Sequence, residues 1–359
     1  MTQLRIPGPT PVPPQILEAL KRQMINHRGK EFGQIMTDIT AKLKQVFQTK
    51  GDVYVLTGSG TGGMEAAVVN VISPGDKVLV ASCGAFGDRF AEIAKAFGAD
   101  VVKLDFEWGQ PVDADKLRGA LKANPQVKTV LVTHNETSTG ITNEMVSISK
   151  VVKEFDKLLV VDAISSLGCI NLPTDELGCD VVVSSSQKGW LTPPGLAMVS
   201  VSPAAWRANA QAKCPRYYWD FGKAKKYAEI QQTPWTPAVP IFYALSAGLD
   251  MMLNEGLNNI FARHARIAAY ARKGVKSLGL ALYPDEKYAS NTITAINVPA
   301  KMEAKKLLQI LRDEYKIVLA GGQAKLDGKI FRIGHLGWVE EKDMEEVLNG
   351  LKAALPKAA

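Results

Sequence analysis

Cysteine is scarce in this 359-residue chain and shows no paired spacing. Cys83, Cys169, Cys179 and Cys214 are its four, and no two form a CxxC. That argues against a zinc site or a disulfide frame, so the four read as buried thiols in a reducing compartment. No apolar run is long enough to span a membrane, and the opening MTQLRIPGPTPVPP has no signal-peptide core. The closing LPKAA matches no retention or peroxisomal address. A soluble cytoplasmic protein is therefore expected. Internal repeats and low-complexity segments are absent. Charge of one sign is not concentrated anywhere: the net +7 comes from Lys and Arg mixed with acids along the chain. A dedicated nucleic-acid surface is thereby disfavoured, whereas a mild positive balance suits anionic small molecules.

What is present is a globular composition, 46% hydrophobic, on a chain long enough for one large domain and a smaller one. Seven apolar, β-branched runs (VYVLTG, KVLVAS, ADVVKLD, VKTVLVTH, KLLVVD, CDVVVSSS and GLAMVSVS) alternate for most of their length with helical patterns. Such alternation predicts an α/β fold with a mostly parallel sheet covered on both faces. Residues 7–14, PGPTPVPP, cannot be helical inside and predict an extended arm. Residues 214–240 are aromatic and proline-rich with little periodicity, and predict a long loop of functional or interface character. Helical periodicity from Val239 to Leu278 breaks near Glu255-Gly256. From about Asn291 a small α+β region follows. Expected domains are 15–255 and 256–359, with the arm 1–14 packing near the second.

Chemistry gathers at strand ends. Leu158–Val161 ends in Asp162, and Val181–Ser186 leads to Gln187 and Lys188. In open α/β folds, ligands sit at that edge of the sheet. A carboxylate that can pair with a ring nitrogen, beside a lysine that can form an imine, is what pyridoxal phosphate requires. Taken singly, Asp162 reads equally as a helix cap and Lys188 as a solvated turn lysine. Thr57-Gly58-Ser59-Gly60-Thr61-Gly62-Gly63 links a strand to a helix, and the amides and dipole of that helix favour an anion. His134 to Thr139 and Ser165-Ser166 add polar groups at the same edge. Arg332, in KIFRIGHLG, suits a bidentate clamp on a carboxylate, although its spacing alone favours a structural arginine on the exposed face of a strand. Gly8 permits close approach of the arm to another group.

The motifs GPTPVPP, SGTGGMEAAVVNVISPGD, THNETSTG, VVDAISSLG, SSSQKGW followed by PPG, and FRIGHLG together resemble the class V aminotransferases. These are pyridoxal-phosphate enzymes of fold type I, and the chain is most similar to their alanine–glyoxylate and serine–glyoxylate branch. The resemblance spans nearly the whole sequence. It implies that Lys188 holds the cofactor and later moves the substrate α-proton, and that Asp162 pairs with the pyridine nitrogen. Ser59, Gly60, Thr61 and Gln187 are implied to bind the phosphate, Phe86 to stack on the ring, Ile164 to pack beneath it, and Thr137 to meet the ring hydroxyl. Arg332 with the backbone near Gly8 would bind the substrate carboxylate. Thr236 would reach the phosphate of a neighbouring subunit, implying a homodimer with shared sites. Two positions depart from relatives: Phe86 stands where many carry Trp, and Thr233 where some carry Tyr. His27 and Arg28 lie near the entrance in relatives, where surface packing explains them as well.

The expected reaction is ping-pong transfer of an amino group from alanine or serine to glyoxylate or pyruvate. Alternative donors are phosphoserine, aminoethylphosphonate and aspartate. A cysteine desulfurase needs a C-terminal nucleophilic cysteine, and none follows Cys214. A non-catalytic scaffold, such as a hydrogenase-associated subunit, would have no need to retain Lys188, Asp162, the glycine turn and Arg332 together.

Overall fold

The computed structural model describes residues 2–358. Seven strands form the main sheet: β1 (Asp52–Thr57), β2 (Lys77–Ser82), β3 (Asp100–Asp105), β4 (Thr129–Thr133), β5 (Leu158–Asp162), β6 (Val181–Ser185) and β7 (Leu196–Val201). Their spatial order is β1-β7-β6-β5-β4-β2-β3. All neighbours pair in parallel except β7, which runs antiparallel to both β1 and β6.

Strands β4 to β7 are buried almost throughout, as their β-branched runs require, while the edge strand β3 keeps its polar ends exposed. Alternate residues feed opposite faces. Val130, Val132, Leu159 and Val161 join one core with Phe32, Leu43 and Phe242. Leu131, Val160 and Val183 join the other with Met64, Val68 and Phe90. Each such side chain contributes about 1.5–3 kcal/mol on burial, so a one-residue slip of register would reverse both faces.

After the helix Val239–Glu255, Gly256 takes φ +84° and the helix Leu257–Ser277 starts in a new direction. Beyond it, Ile293–Asn297, Ile330–Gly334 and Ala320–Gly321 form a three-stranded antiparallel sheet. A separate core lies there, with Ile267, Leu307, Leu311, Phe331, Val347 and Leu351. The N-terminal arm reaches this region: Gln3–Leu4 pairs in parallel with Ile317–Val318, and Arg5 O accepts from Gly334 N.

The stretch 214–240 is more ordered than its composition suggests. It contains the helix Phe221–Ala228, whose first turn is capped by the Asp220 carboxylate accepting from Lys223 N. All four cysteines are buried free thiols. Among the described residues, no helix is long and apolar enough to cross a membrane.

Candidate active site

The antiparallel course of β7 sets up the site. It runs antiparallel between β6 and β1, so those two strands point the same way and end at the same edge, on either side of β7. Thr57 pairs with Leu196 and Ser185 with Ala197. The glycine turn after β1 and the Lys188 turn after β6 thus share one sheet edge, with Gly58 N donating to Gly195 O. Asp162, at the end of β5, lies between the ends of β4 and β6: its carbonyl accepts from His134 N, and the next residue, Ala163, donates to Val183 O.

Asp162 is 3% exposed, and its Oδ1 accepts from Ile164 N at 2.9 Å. Burial pushes its pKa up to about 7; Ile164 N and the charge of Lys188 oppose, and Glu136 adds. Burial likewise pulls Lys188 down to about 8, against Asp162 and with help from Arg332 and Arg89. The Lys188 amine donates to Pro7 O of the arm. Gly8 explains the closeness of the arm. At its φ of +115°, a Cβ would lie 2.7 Å from Lys188 Nζ, 2.8 Å from Cδ and 2.9 Å from Cε.

The glycine turn is an anion cradle by construction. Ser59 caps the helix Gly60–Val71: its Oγ accepts from Gly62 N, and its carbonyl from Gly63 N. The amides of Gly60 and Thr61, one residue earlier, have no partner within the helix. Ser59 and Thr61 are exposed at its mouth. Gly60 has no room for a side chain, since a Cβ would stand 2.7 Å from Ile164 Cδ1 and 3.0 Å from Ser185 Cβ. Behind the cradle, the Trp219 indole lies where Cβ atoms on Gly58 and Gly62 would go, each 2.7 Å away, and its Nε1 donates to Glu65 Oε1 at 2.9 Å. Gln187 closes another side, accepting from Ser185 Oγ. Free amides and hydroxyls around a pocket too tight for a Cβ fit a phosphate, with a carboxylate and a primary amine nearby for a pyridine ring and its aldehyde.

Phe86 sits in the first turn of the helix Ala85–Ala96 and is fixed from below by Glu136. That carboxylate is fully buried and accepts from Phe86 N and Gly87 N at 3.1 Å, from Ser138 N at 3.1 Å and from Ser138 Oγ at 2.6 Å. Burial raises its pKa against these donors. Gly84 leaves the space for it: a Cβ there would lie 2.3 Å from Glu136 Cγ. The Arg89 guanidinium lies 4.8 Å from the Phe86 ring centroid, and its Nη1 is 3.4 Å from Thr61 Oγ1. Thr137 Oγ1 donates to Ser165 Oγ at 2.8 Å.

Arg332 joins the same loop. Its Nε donates to Gly321 O at 2.9 Å, and its Nη1 to Thr137 O at 3.0 Å and to Gln323 Oε1 at 2.9 Å. Burial lowers its pKa to about 10, opposed by Glu136. Thr236 stands apart. It is exposed and makes no hydrogen bond to the cluster among the described residues. Arg28 pins its segment, donating through Nη1 to Gln232 Oε1 and Thr233 O and through Nη2 to Pro234 O. His27 is half-buried beside it.

The sequence pattern places Asp162, Lys188, the glycine turn and Thr137 at one edge, and offers Arg332 as a clamp without placing it there. It includes Glu136 and Ser165 in polar runs at that edge without giving either a role, and leaves out Arg89, Trp219 and Gln323. Glu136 left one local signal, a lone carboxylate between a buried strand and a Ser/Thr run. Trp219 left none, because its partner Glu65 is 154 residues away; Gln323 lies only nine residues from Arg332, but nothing in a turn glutamine marks it as an acceptor for that arginine.

The family model described as aminotransferase class V matches residues 4–330. The chain is 47% identical to a protein of Anabaena cylindrica named soluble hydrogenase 42 kDa subunit, over 98% of this chain and 92% of that one. It is 38% identical to the L-aspartate–glyoxylate aminotransferase of Paracoccus denitrificans, over 92% and 85%. A solved alanine–glyoxylate aminotransferase from Nostoc superposes with TM-score 0.96 at 30% identity, covering 99% of this chain and 95% of that one.

Proposed function

The chain belongs to the class V aminotransferases, which depend on pyridoxal phosphate, and we propose that it carries the amino group of alanine or serine to glyoxylate or pyruvate. The observation that carries this reading is the meeting of Lys188 and Asp162, both with pKa values moved toward neutrality, between an anion cradle and a buried arginine.

Pyridoxal phosphate supplies an electron sink for the substrate α-carbon. Asp162 provides the carboxylate that keeps the ring nitrogen protonated. Lys188 would hold the cofactor through its amine, and that amine, when free, would carry the substrate α-proton. A value near 8 keeps a useful fraction of that amine neutral at physiological pH, as a proton carrier needs. Arg332 and the backbone near Gly8 hold the substrate carboxylate, and Ser59, Gly60, Thr61 and Gln187 hold the phosphate. Phe86 would stack on the ring, Ile164 would pack beneath it, and Thr137 would contact the ring hydroxyl. Binding of one substrate at a time in this single pocket gives ping-pong kinetics.

A homodimer with Thr236 serving the neighbour's phosphate belongs to the same proposal. It is supported by the exposed aromatics beside Thr236: Tyr217, 68% exposed, and Tyr218, 43% exposed, both stack on Trp235. Sedimentation equilibrium tests it. The division into 15–255 and 256–359 is also proposed, and limited proteolysis near Gly256 checks it. The names of two relatives point to other readings, L-aspartate as donor and a hydrogenase subunit, for which the scaffold alternative stands.

One experiment separates the three. The visible absorbance of the purified protein is followed on adding L-alanine, then glyoxylate. A yellow band that fades with alanine and returns with glyoxylate supports the proposal. A yellow protein indifferent to alanine and serine but bleached by aspartate moves the donor. A protein that stays colourless with added pyridoxal phosphate overturns the enzyme reading in favour of the scaffold.

A further inference from the structure

We propose that Gln323 is a displaceable stand-in for the substrate carboxylate on Arg332, and so sets the affinity and selectivity of the clamp. The inference rests on the reading of Arg332 as that clamp. A guanidinium offers five N–H groups. Three are taken here: Nε by Gly321 O, and the two on Nη1 by Thr137 O and Gln323 Oε1. Nη2 makes no hydrogen bond among the described residues. A carboxylate gripped end-on needs one N–H from Nη1 beside one from Nη2, so one acceptor on Nη1 must leave.

Thr137 O cannot leave. It is main chain, in a loop fixed by the Glu136 and Ser165 contacts. Gln323 is a half-buried side chain with three rotatable bonds. Its own loop stays in place, because Leu326, three residues on, is buried against Ile330 and Trp108. The exchange is therefore a side-chain rotation rather than a loop opening.

Chemistry suits the role. Arg332 is 5% exposed, and its nearest charge influence is the Glu136 carboxylate, which is already spent on four donors. A buried cation with an open N–H is costly. A neutral carboxamide satisfies one N–H of Nη1, yet makes a weaker bond than a carboxylate, whose charge-assisted bond is roughly twice as strong. A carboxylate at position 323 would lock the clamp shut; an apolar residue would leave it open and ill-solvated.

The test is calorimetric binding of L-lactate to the cofactor-loaded protein, which reports on carboxylate capture without turnover. Gln323→Ala should tighten lactate about fivefold, since one competing hydrogen bond no longer has to break. Gln323→Glu should weaken it on the order of 30-fold or more, by pairing with Arg332. Circular dichroism confirms that both variants fold. Weaker binding in Gln323→Ala, or unchanged binding in Gln323→Glu, overturns the inference. Arg332→Lys separates it from its premise. If that change leaves lactate affinity intact, or if no variant and no wild type binds lactate, the clamp reading falls and this inference with it. If Arg332→Lys weakens lactate while both Gln323 variants match wild type, only the stand-in role falls.

Discussion

Replacing Gly8 with alanine is the sharpest probe of how the arm serves the lysine. Two costs arise. The backbone at φ +115° lies where side chains other than glycine rarely go, a strain of about 1–3 kcal/mol. The new methyl would also stand 2.7 Å from Lys188 Nζ, against ordinary contact near 3.5 Å. The arm cannot retreat easily, since Arg5 N and O are hydrogen-bonded to Val318 and Gly334. The far end of a lysine can, so Lys188 should move by roughly 0.8 Å. A misplacement of that size at a reacting atom costs on the order of 100-fold in rate. The assay is the rate of bleaching by L-alanine in a single turnover, beside a denaturant melt. Gly279→Ala is the control: φ is +77° there, with nothing within 4 Å of a built Cβ. It should lose stability alone. The reasoning is refuted if Gly8→Ala bleaches at the wild-type rate, or if Gly279→Ala slows bleaching equally.

Three further outcomes are expected. Asp162→Asn should raise the stability of the cofactor-free protein at pH 8, while the cofactor-loaded variant loses most of its turnover. The folded-state pKa lies above the ordinary 3.8, so the penalty for ionised Asp162 grows from about pH 4 to about pH 7 and is complete above. The distance from 3.8 to about 7 corresponds to an upper limit of ~4 kcal/mol. Melts at pH 5 and pH 8 check that the gain shrinks in acid. Glu136→Gln turns an amide donor toward Phe86 N, Gly87 N or Ser138 N and should cost about 1–3 kcal/mol; an unchanged melting midpoint would show that the carboxylate is not needed. Gly60→Ala must displace Ile164 or Ser185 and should weaken pyridoxal-phosphate binding about tenfold or more, as read by spectral titration.

The parts of the site legible in the sequence were those fixed locally. A β-branched run that ends in one charge announces both the buried strand and the exposed end, so Asp162 and Lys188 could be placed before any coordinates. The glycine turn was legible as a turn, though not the reason for its glycines: Trp219 approaches Gly58 and Gly62 from more than 150 residues away, and no local pattern encodes that. Gln323 reads as an ordinary turn residue until Arg332 folds beside it. The helix Phe221–Ala228 was hidden by the prolines and aromatics around it, although Asp220 and the basic last turn were present as signals. Which way β7 runs is decided by its short connection from the Lys188 turn, not by its apolar pattern.

The arm also ties the timing of the site to synthesis. Residues 3–8 leave the ribosome before any of the main sheet, yet Gln3 and Arg5 find their partners only at Lys316 and Val318, and Arg5 again at Gly334. Domains tend to fold as they emerge, so the sheet, Asp162 and Lys188 can be in place while the arm still waits. Pro7 and Gly8 close over the lysine amine only once residues 316–334 have been made. A chain stopped short of residue 316 would have the lysine but not the cover that orients it.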